Sequence, residues 1–184
     1  IDRETLDHSI NRSLSILIQQ QKKDGHFVFE LEADCTIPAE YILLSHFRGE
    51  IIDPALLKKI SIYLKRQQGG DGGWPLFYNG QSNISATVKA YFALKVIGES
   101  INSDHMMRAK TWILSKGGAS QANVFTRYLL ALFKQIPWSG VPVMPVEIIL
   151  LPRWFPFHLD KISYWARTVL VPLTVLNALK PEPR

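Results

Sequence analysis

The feature that most constrains this chain is an internal repetition. The stretch "LIQQQKKDGHF" (Leu17 to Phe27) aligns with "LKRQQGGDGGW" (Leu64 to Trp74). Gln20-Gln21 falls on Gln67-Gln68, Asp24-Gly25 on Asp71-Gly72 and Phe27 on Trp74, at a constant offset of 47 residues. The following segments keep the spacing: "AEYILLSHF" from Ala39 lies opposite "ATVKAYFAL" from Ala86. A fainter third copy joins "WILSKGG" from Trp112 to "NVFTRYLLALF" from Asn123. A unit that recurs at such a period cannot bury its apolar face alone, so the copies must pack on one another.

Each unit reads as two helices joined by a glycine-rich loop. From Glu4 to Gln21, the residues Leu6, Ile10, Leu14 and Leu17 recur at intervals of three and four, which is one apolar helical face. Asp53-Pro54 opens the next helix with a capping carboxylate and a proline in the first helical position. That helix runs to Gln67 and stops at Gly69-Gly70. Asn83, Ser103 and Asn123 are the expected caps of three more. No stretch shows sustained strand alternation, so the chain is expected to be all-α. A straight solenoid fits a two-helix repeat, and so does an α/α toroid in which inner and outer helices alternate around a barrel. The segments "YILLSHF", "VKAYFAL" and "RYLLALF" are the more apolar, as inner helices would be, which favours the toroid, here as an incomplete barrel over residues 1–184.

After Lys134 the pattern changes. Between residues 137 and 158, Pro137, Pro142, Pro145, Pro152 and Pro156 stand among tryptophans, phenylalanines and aliphatics. That density forbids a continuous helix and leaves no run of about 20 apolar residues to span a bilayer. This segment is expected to be an irregular connection. "KISYWARTVLVPLTVLNALK" then returns to a helical pattern, with a kink expected near Pro172. It reads as a core helix, with a surface dipping into one membrane leaflet as the alternative.

Composition narrows the partners. The chain has 184 residues, is 47% hydrophobic and carries a formal charge of +5, which is globular rather than disordered. Its basic residues come in scattered pairs such as Lys22-Lys23 and Lys58-Lys59, so nucleic-acid binding is not expected. An anionic membrane surface suits the charge and the apolar C-terminal third better. One cysteine permits no internal disulfide. The start at Ile1 and the end in "KPEPR", with no secretory signal, suggest a piece of a longer cytoplasmically made protein.

The second loop has a specific spacing: Tyr63-Leu64, three residues, Gln68, three residues, then Gly72-Gly73-Trp74. It resembles the QW repeat of triterpene cyclases, departing from it where Ile60 replaces a small residue. Gln68, Gly72 and Trp74 are then expected to be structural. A glutamine amide can hydrogen-bond a helix end, an indole can stack on it, and glycines allow backbone geometry closed to other residues. Together with "NVFTRYLLALF", "IPWSGVPVMPVEIILLP" and "SYWARTVLVPL", the whole chain is similar to the N-terminal half of bacterial squalene–hopene cyclases.

That resemblance implies two α/α barrels around a cavity, in an enzyme seated on the cytoplasmic face of a membrane as a peripheral or monotopic protein. The implied substrate is squalene or a related linear isoprenoid. Its terminal alkene is protonated, and cyclisation runs through carbocations to hopene or hopanol without metal or organic cofactor. Such cations need aromatic faces, each contact contributing about 0.5–2 kcal/mol. The family's acid lies in an Asp-x-Asp-Asp motif of the other half. This chain has no such motif, so no catalytic residue is assigned to it and the chain alone is expected to be inactive. By the same resemblance Glu40, Trp165 and Phe125 face the substrate pocket, while Ile162 and Leu170 lie near the channel. The C-terminal half is the implied partner, and a homodimer is one assembly it admits. Glu40 also reads simply as a first-turn glutamate favoured by the helix dipole, and Trp165 as core. Lys89 and Asn123 fall where some relatives carry charged residues.

Two other readings compete. A protein prenyltransferase β-subunit shares the toroid but needs a zinc site of Asp, Cys and His. Only Cys35 is present, with no histidine at ligand spacing. A non-catalytic helical scaffold would have no use for the proline–aromatic segment. The string Asp34-Cys35-Thr36 resembles the acid motif of oxidosqualene cyclases, but it precedes a helix, where a carboxylate is favoured as an ion. It is expected to be helix-entry chemistry.

Overall fold

The computed structural model describes residues 2–29 and 32–184. The chain divides into two compact units, Ile1–Glu32 and Ala33–Arg184. Among the described residues every regular element is helical, as expected, with a single isolated bridge between Pro75 and Ser82.

The first unit holds helix α1 (Arg3–Gln20), started by Asp2, whose carboxylate accepts the Thr5 amide at 2.8 Å. Its expected apolar face of Leu6, Ile10, Leu14 and Leu17 is exposed. After α1 the chain turns through Gly25 at φ +91°.

The second unit begins with α2 (Thr36–Arg48), stopped by Gly49 in the left-handed region. Helix α3 (Pro54–Arg66) starts as Asp53-Pro54 dictates, the aspartate accepting the Ala55 amide at 3.2 Å. Helix α4 (Ile84–Val96) is capped by Asn83, which accepts from Ser85 and Ala86. Helix α5 (Asp104–Ser115) follows Ser103, but that hydroxyl donates back to the Ser100 carbonyl at 2.7 Å instead of capping. Helix α6 (Val124–Leu132) is capped by Asn123 through the Thr126 amide. Helix α7 (Tyr164–Leu179) continues through Pro172.

Burial separates inner from outer helices. Helix α4 is covered from Ser85 to Ala90 and again from Phe92 to Leu94, because it packs against α2, α5 and α6. Helices α3 and α5 bury only one stripe each, and α3 lies on α2. The three apolar segments singled out in the sequence are therefore α2, α4 and α6, and only α4 is enclosed on all sides. Ile42, Leu43, Leu64, Trp74, Phe92, Leu94 and Met106 form the main core.

Between α6 and α7 there is no α-helix, only short 3-10 turns at Trp138–Gly140, Val146–Leu150 and Leu159–Lys161. The prolines remove amide donors and fix φ, so the helical ladder cannot propagate. The segment is held by a small second core of Tyr128, Ala131 and Val141, against which Trp138, Met144 and Leu173 pack. The Tyr128 hydroxyl donates to the Pro142 carbonyl at 2.9 Å and accepts from Asn177 at 3.2 Å.

The loop after α3 works as a clamp. Gly69 N donates to Gly73 O and Gly72 N to Gly69 O, closing the turn. The Gln68 amide donates to Gly72 O at 2.8 Å and to His105 O, in the first turn of α5, at 2.9 Å. Arg108 of α5 donates to the Gln68 side-chain oxygen. The Trp74 indole N–H donates to Leu64 O at the end of α3, at 2.7 Å, and its backbone N–H to the Thr87 hydroxyl of α4. The roles are thus redistributed from the expected ones. The indole satisfies the helix end, and the glutamine ties the loop to the next helix. Asp71 adds bonds from Ser82, the Gly73 amide and the Trp112 indole.

Candidate functional site

Helix entry at Asp34-Cys35-Thr36 has the expected character. The Asp34 carboxylate accepts both the Thr36 amide, at 2.7 Å, and the Thr36 hydroxyl, at 2.6 Å. This local turn starts α2. Cys35 is fully buried against the Ala86 carbonyl, and burial, reinforced by the Asp34 charge, pushes its thiol up to about 12. The thiolate is the nucleophile and the metal ligand, so this cysteine is chemically quiet. Among the described residues no group of three His, Cys, Asp or Glu side chains is placed to hold a metal ion.

One turn further along α2, the surface becomes a groove of about 500 Å3 shared with α6 and α7. Ile37, Tyr41, Leu44 and Phe47 of α2 face Leu129, Leu132 and Phe133, and Leu176 of α7 closes one side. Phe133 is gripped edge-on by Phe47 and Phe92, with ring centres 5.6 and 5.2 Å apart. Aromatic rings carry electron-rich faces and electron-poor edges, so a face turned to the space beside it attracts a cation there. Glu40 is the one formally charged residue of the lining. Its carboxylate, 43% exposed, pairs with the ammonium of Lys89 on α4, whose side chain is 10% exposed. Glu40 thus lies in the second turn of α2 and not in the first as expected, and it is held by an interhelical ion pair and not by the helix dipole, whose effect fades within the first turn.

The other expected site residues lie elsewhere. Leu170 lines a separate apolar cavity of about 150 Å3 with Val143, Met144, Pro145, Ile148, Leu159, Val171 and Thr174. Ile162 is half-buried at the end of the 3-10 turn before α7. Trp165, in the first turn of α7, is 73% exposed, and Phe125, in the first turn of α6, is 49% exposed. The Glu40 groove therefore contains none of Phe125, Ile162, Trp165 and Leu170. Tyr41, Phe47 and Phe133 line it without having been singled out. On α2 the spacing of three and four linking Ile37, Tyr41, Leu44 and Phe47 was the sequence signal, and it is shared with any core helix. Lys89 was noted only as a position where some relatives carry charged residues; its partner lies 49 residues away and no local rule names it.

Residues 10–184 match the family model of the squalene-hopene cyclase N-terminal domain. The chain is 55% identical over 183 residues to a squalene–hopene cyclase of Bradyrhizobium diazoefficiens, covering 100% of this chain and 28% of the relative. It is 59% identical over 175 residues to a squalene–hopene cyclase of Zymomonas mobilis, covering 95% and 27%. A dammaradiene synthase of Dryopteris crassirhizoma is 36% identical over 177 residues, covering 96% and 26%. The chain thus spans about 28% of the length of the curated relatives it matches.

Proposed function

The chain belongs to the squalene-hopene cyclase N-terminal domain family, and from that premise we propose that it shapes the apolar pocket of a cyclase acting on squalene, or a related linear isoprenoid, to give hopene or hopanol. The observation that carries this reading is the groove of α2, α6 and α7: aromatic and aliphatic throughout, with one fixed carboxylate. A proton-initiated cyclisation needs such a wall, because ring faces stabilise passing cations while water and free nucleophiles are kept away. The proton itself comes from residues outside this chain, which holds no Asp-x-Asp-Asp motif. Phe125 and Trp165, exposed here, complete the pocket against the rest of the enzyme, and Ile162 and Leu170 border its entrance.

The same enzyme lies on the cytoplasmic face of a membrane. Supporting this is an exposed apolar and aromatic set comprising Val143, Leu150, Trp154, Phe157 and Tyr164, with Arg153 and Lys161 close in sequence. Aromatic and basic side chains together suit the headgroup layer. Among the described residues no helix is long and apolar enough to cross a bilayer.

The test is incubation with squalene of the protein encoded by the full reading frame, and in parallel of the 184-residue chain. Cyclic triterpene from the longer protein alone is expected. No product from the longer protein would overturn the reading, and product from the short chain would overturn the placement of the acid outside it.

A further inference from the structure

A polar cavity of about 700 Å3 lies where the clamp loop, the segment leading into α4 and the end of α5 meet. That volume falls among sites that hold small molecules. Its walls are built and not merely enclosed. Residues 75–82 are tied at both ends, by the bridge between Pro75 and Ser82 and by Asn83 N donating to Trp74 O at 2.8 Å. At their tip Gly80 N donates to Phe77 O at 2.9 Å, and Asn79 has φ +55°. The Ser82 hydroxyl is pinned to Asp71 of the clamp.

The charges of the lining do not balance. Arg66 closes α3 and Lys116 follows α5, and both side chains line the cavity. Their neighbours are paired, Lys65 with Glu99 and Arg108 with Asp104. Among the described residues neither Arg66 nor Lys116 meets a carboxylate; the Lys116 ammonium lies 5.6 Å from the centre of the Trp112 ring. Asp71 is the one carboxylate of the lining, and both its oxygens already accept bonds, from Ser82, the Gly73 amide and the Trp112 indole. A helix C-terminus favours a cation beside it. That accounts for each position alone, but not for two cations lining one cavity without an open carboxylate. A guanidinium offers parallel N–H donors that match a phosphate, and an ammonium adds a point charge. The Gln81 amide and the Tyr78 hydroxyl, in the same lining, supply neutral donors and acceptors for the rest of a polar molecule.

We propose that this cavity is a binding site for a phosphate-bearing molecule, with Arg66 and Lys116 holding the phosphate group and residues 78–82 the polar remainder. The cavity shares no lining residue with the groove of α2, α6 and α7, and the inference does not rest on the cyclase reading. A soluble phosphate ester and a phospholipid headgroup carry the same group, and the experiment separates them.

The full-length enzyme that carries this chain is used, in magnesium-free buffer. Binding of inorganic pyrophosphate and of glycerol 1-phosphate is followed by calorimetric titration. Flotation compares phosphatidylglycerol with phosphatidylcholine vesicles. The test variant is Arg66→Gln/Lys116→Gln. The control, Lys59→Gln/Lys110→Gln, removes as much charge from α3 and α5 but outside the cavity. All four side chains are exposed, so thermal midpoints should stay within about 3 °C of the wild type. Should the test variant fold poorly, Arg66→Gln and Lys116→Gln taken singly decide by the same readouts. Saturable binding of a soluble phosphate is expected, weakened at least about tenfold in the test variant and less than about twofold in the control. Without soluble binding, a preference for phosphatidylglycerol that only the test variant loses would support the inference and identify a headgroup. Binding that both variants weaken equally, or that neither weakens, would overturn it. So would the absence of saturable binding below about 10 mM together with unchanged flotation.

Discussion

The turn after α1 and the turn after α3 close the same hydrogen bonds. Lys22 N donates to His26 O and Gly25 N to Lys22 O in the first; Gly69 N donates to Gly73 O and Gly72 N to Gly69 O in the second. Gln21 donates to Gly25 O at 2.7 Å, and Gln68 to Gly72 O at 2.8 Å. Gly25 and Gly72 have φ of +91° and +93°. Beyond the backbone the two part. Phe27 is 46% exposed, whereas Trp74 is fully buried with its indole on the end of α3. Gln68 also reaches α5, and the Arg108 backbone presses on Gly72. A glutamine and an Asp-Gly pair suffice to shape such a turn, but a tryptophan and a neighbouring helix are needed to make it a clamp.

Matched substitutions in the two turns should separate shape from clamp, with chemical denaturation as the readout. Trp74→Ala removes a buried indole and its bond to the Leu64 carbonyl, and should cost about 3–5 kcal/mol, against under about 1 kcal/mol for exposed Phe27→Ala. Equal losses would dissolve the distinction. Gly72→Ala combines a positive φ with a new Cβ only 2.8 Å from the Arg108 carbonyl oxygen. It should cost about 2–4 kcal/mol. Gly25→Ala carries the same backbone penalty, but its nearest neighbour is 3.9 Å away. About 1 kcal/mol is expected there. Gln68→Ala removes the bonds to the Gly72 and His105 carbonyls, for about 1–2 kcal/mol, while Gln21→Ala should lie near about 0.5 kcal/mol.

The smallest effect is a pH dependence. Burial works against ionisation of Asp71, but bonds from the Ser82 hydroxyl, the Gly73 amide and the Trp112 indole outweigh it and hold the carboxyl below its ordinary 3.8. A depressed folded value means that the carboxylate's contribution is fully present above about 3.8 and fades as pH falls through the lower folded value. Acid titration of stability should therefore be flatter in Asp71→Asn than in the wild type below pH 4. Parallel curves would show that the Asp71 bonds contribute nothing.

Much of the second unit was legible because its signals are local. Asp53-Pro54, Asn83 and Asn123 start helices through bonds spanning two or three residues, and the prolines of 137–158 break the helical ladder by their own covalent structure. Ser103 marks a helix start correctly, yet its hydroxyl has a closer competitor in the Ser100 carbonyl, and residue type does not reveal such competition. The site was legible only in part. Glu40 was recognisable by resemblance, but its ion pair with Lys89 and its aromatic neighbours Phe47 and Phe133 depend on how α2, α4 and α6 register against one another.

The sequence by itself determined the repeat, the helix ends, the turn geometry at Gln21 and Gln68, and the irregular connection before α7, because each is decided within one turn of chain. Tertiary structure alone decided that the Trp74 indole goes to Leu64, that α4 is the enclosed helix, and that Lys89 meets Glu40 beside an apolar groove. Those outcomes join residues 10 to 49 positions apart. The chain brings such partners together only when apolar burial has set the helices in place, and that burial is a property of the packed unit and not of any one segment.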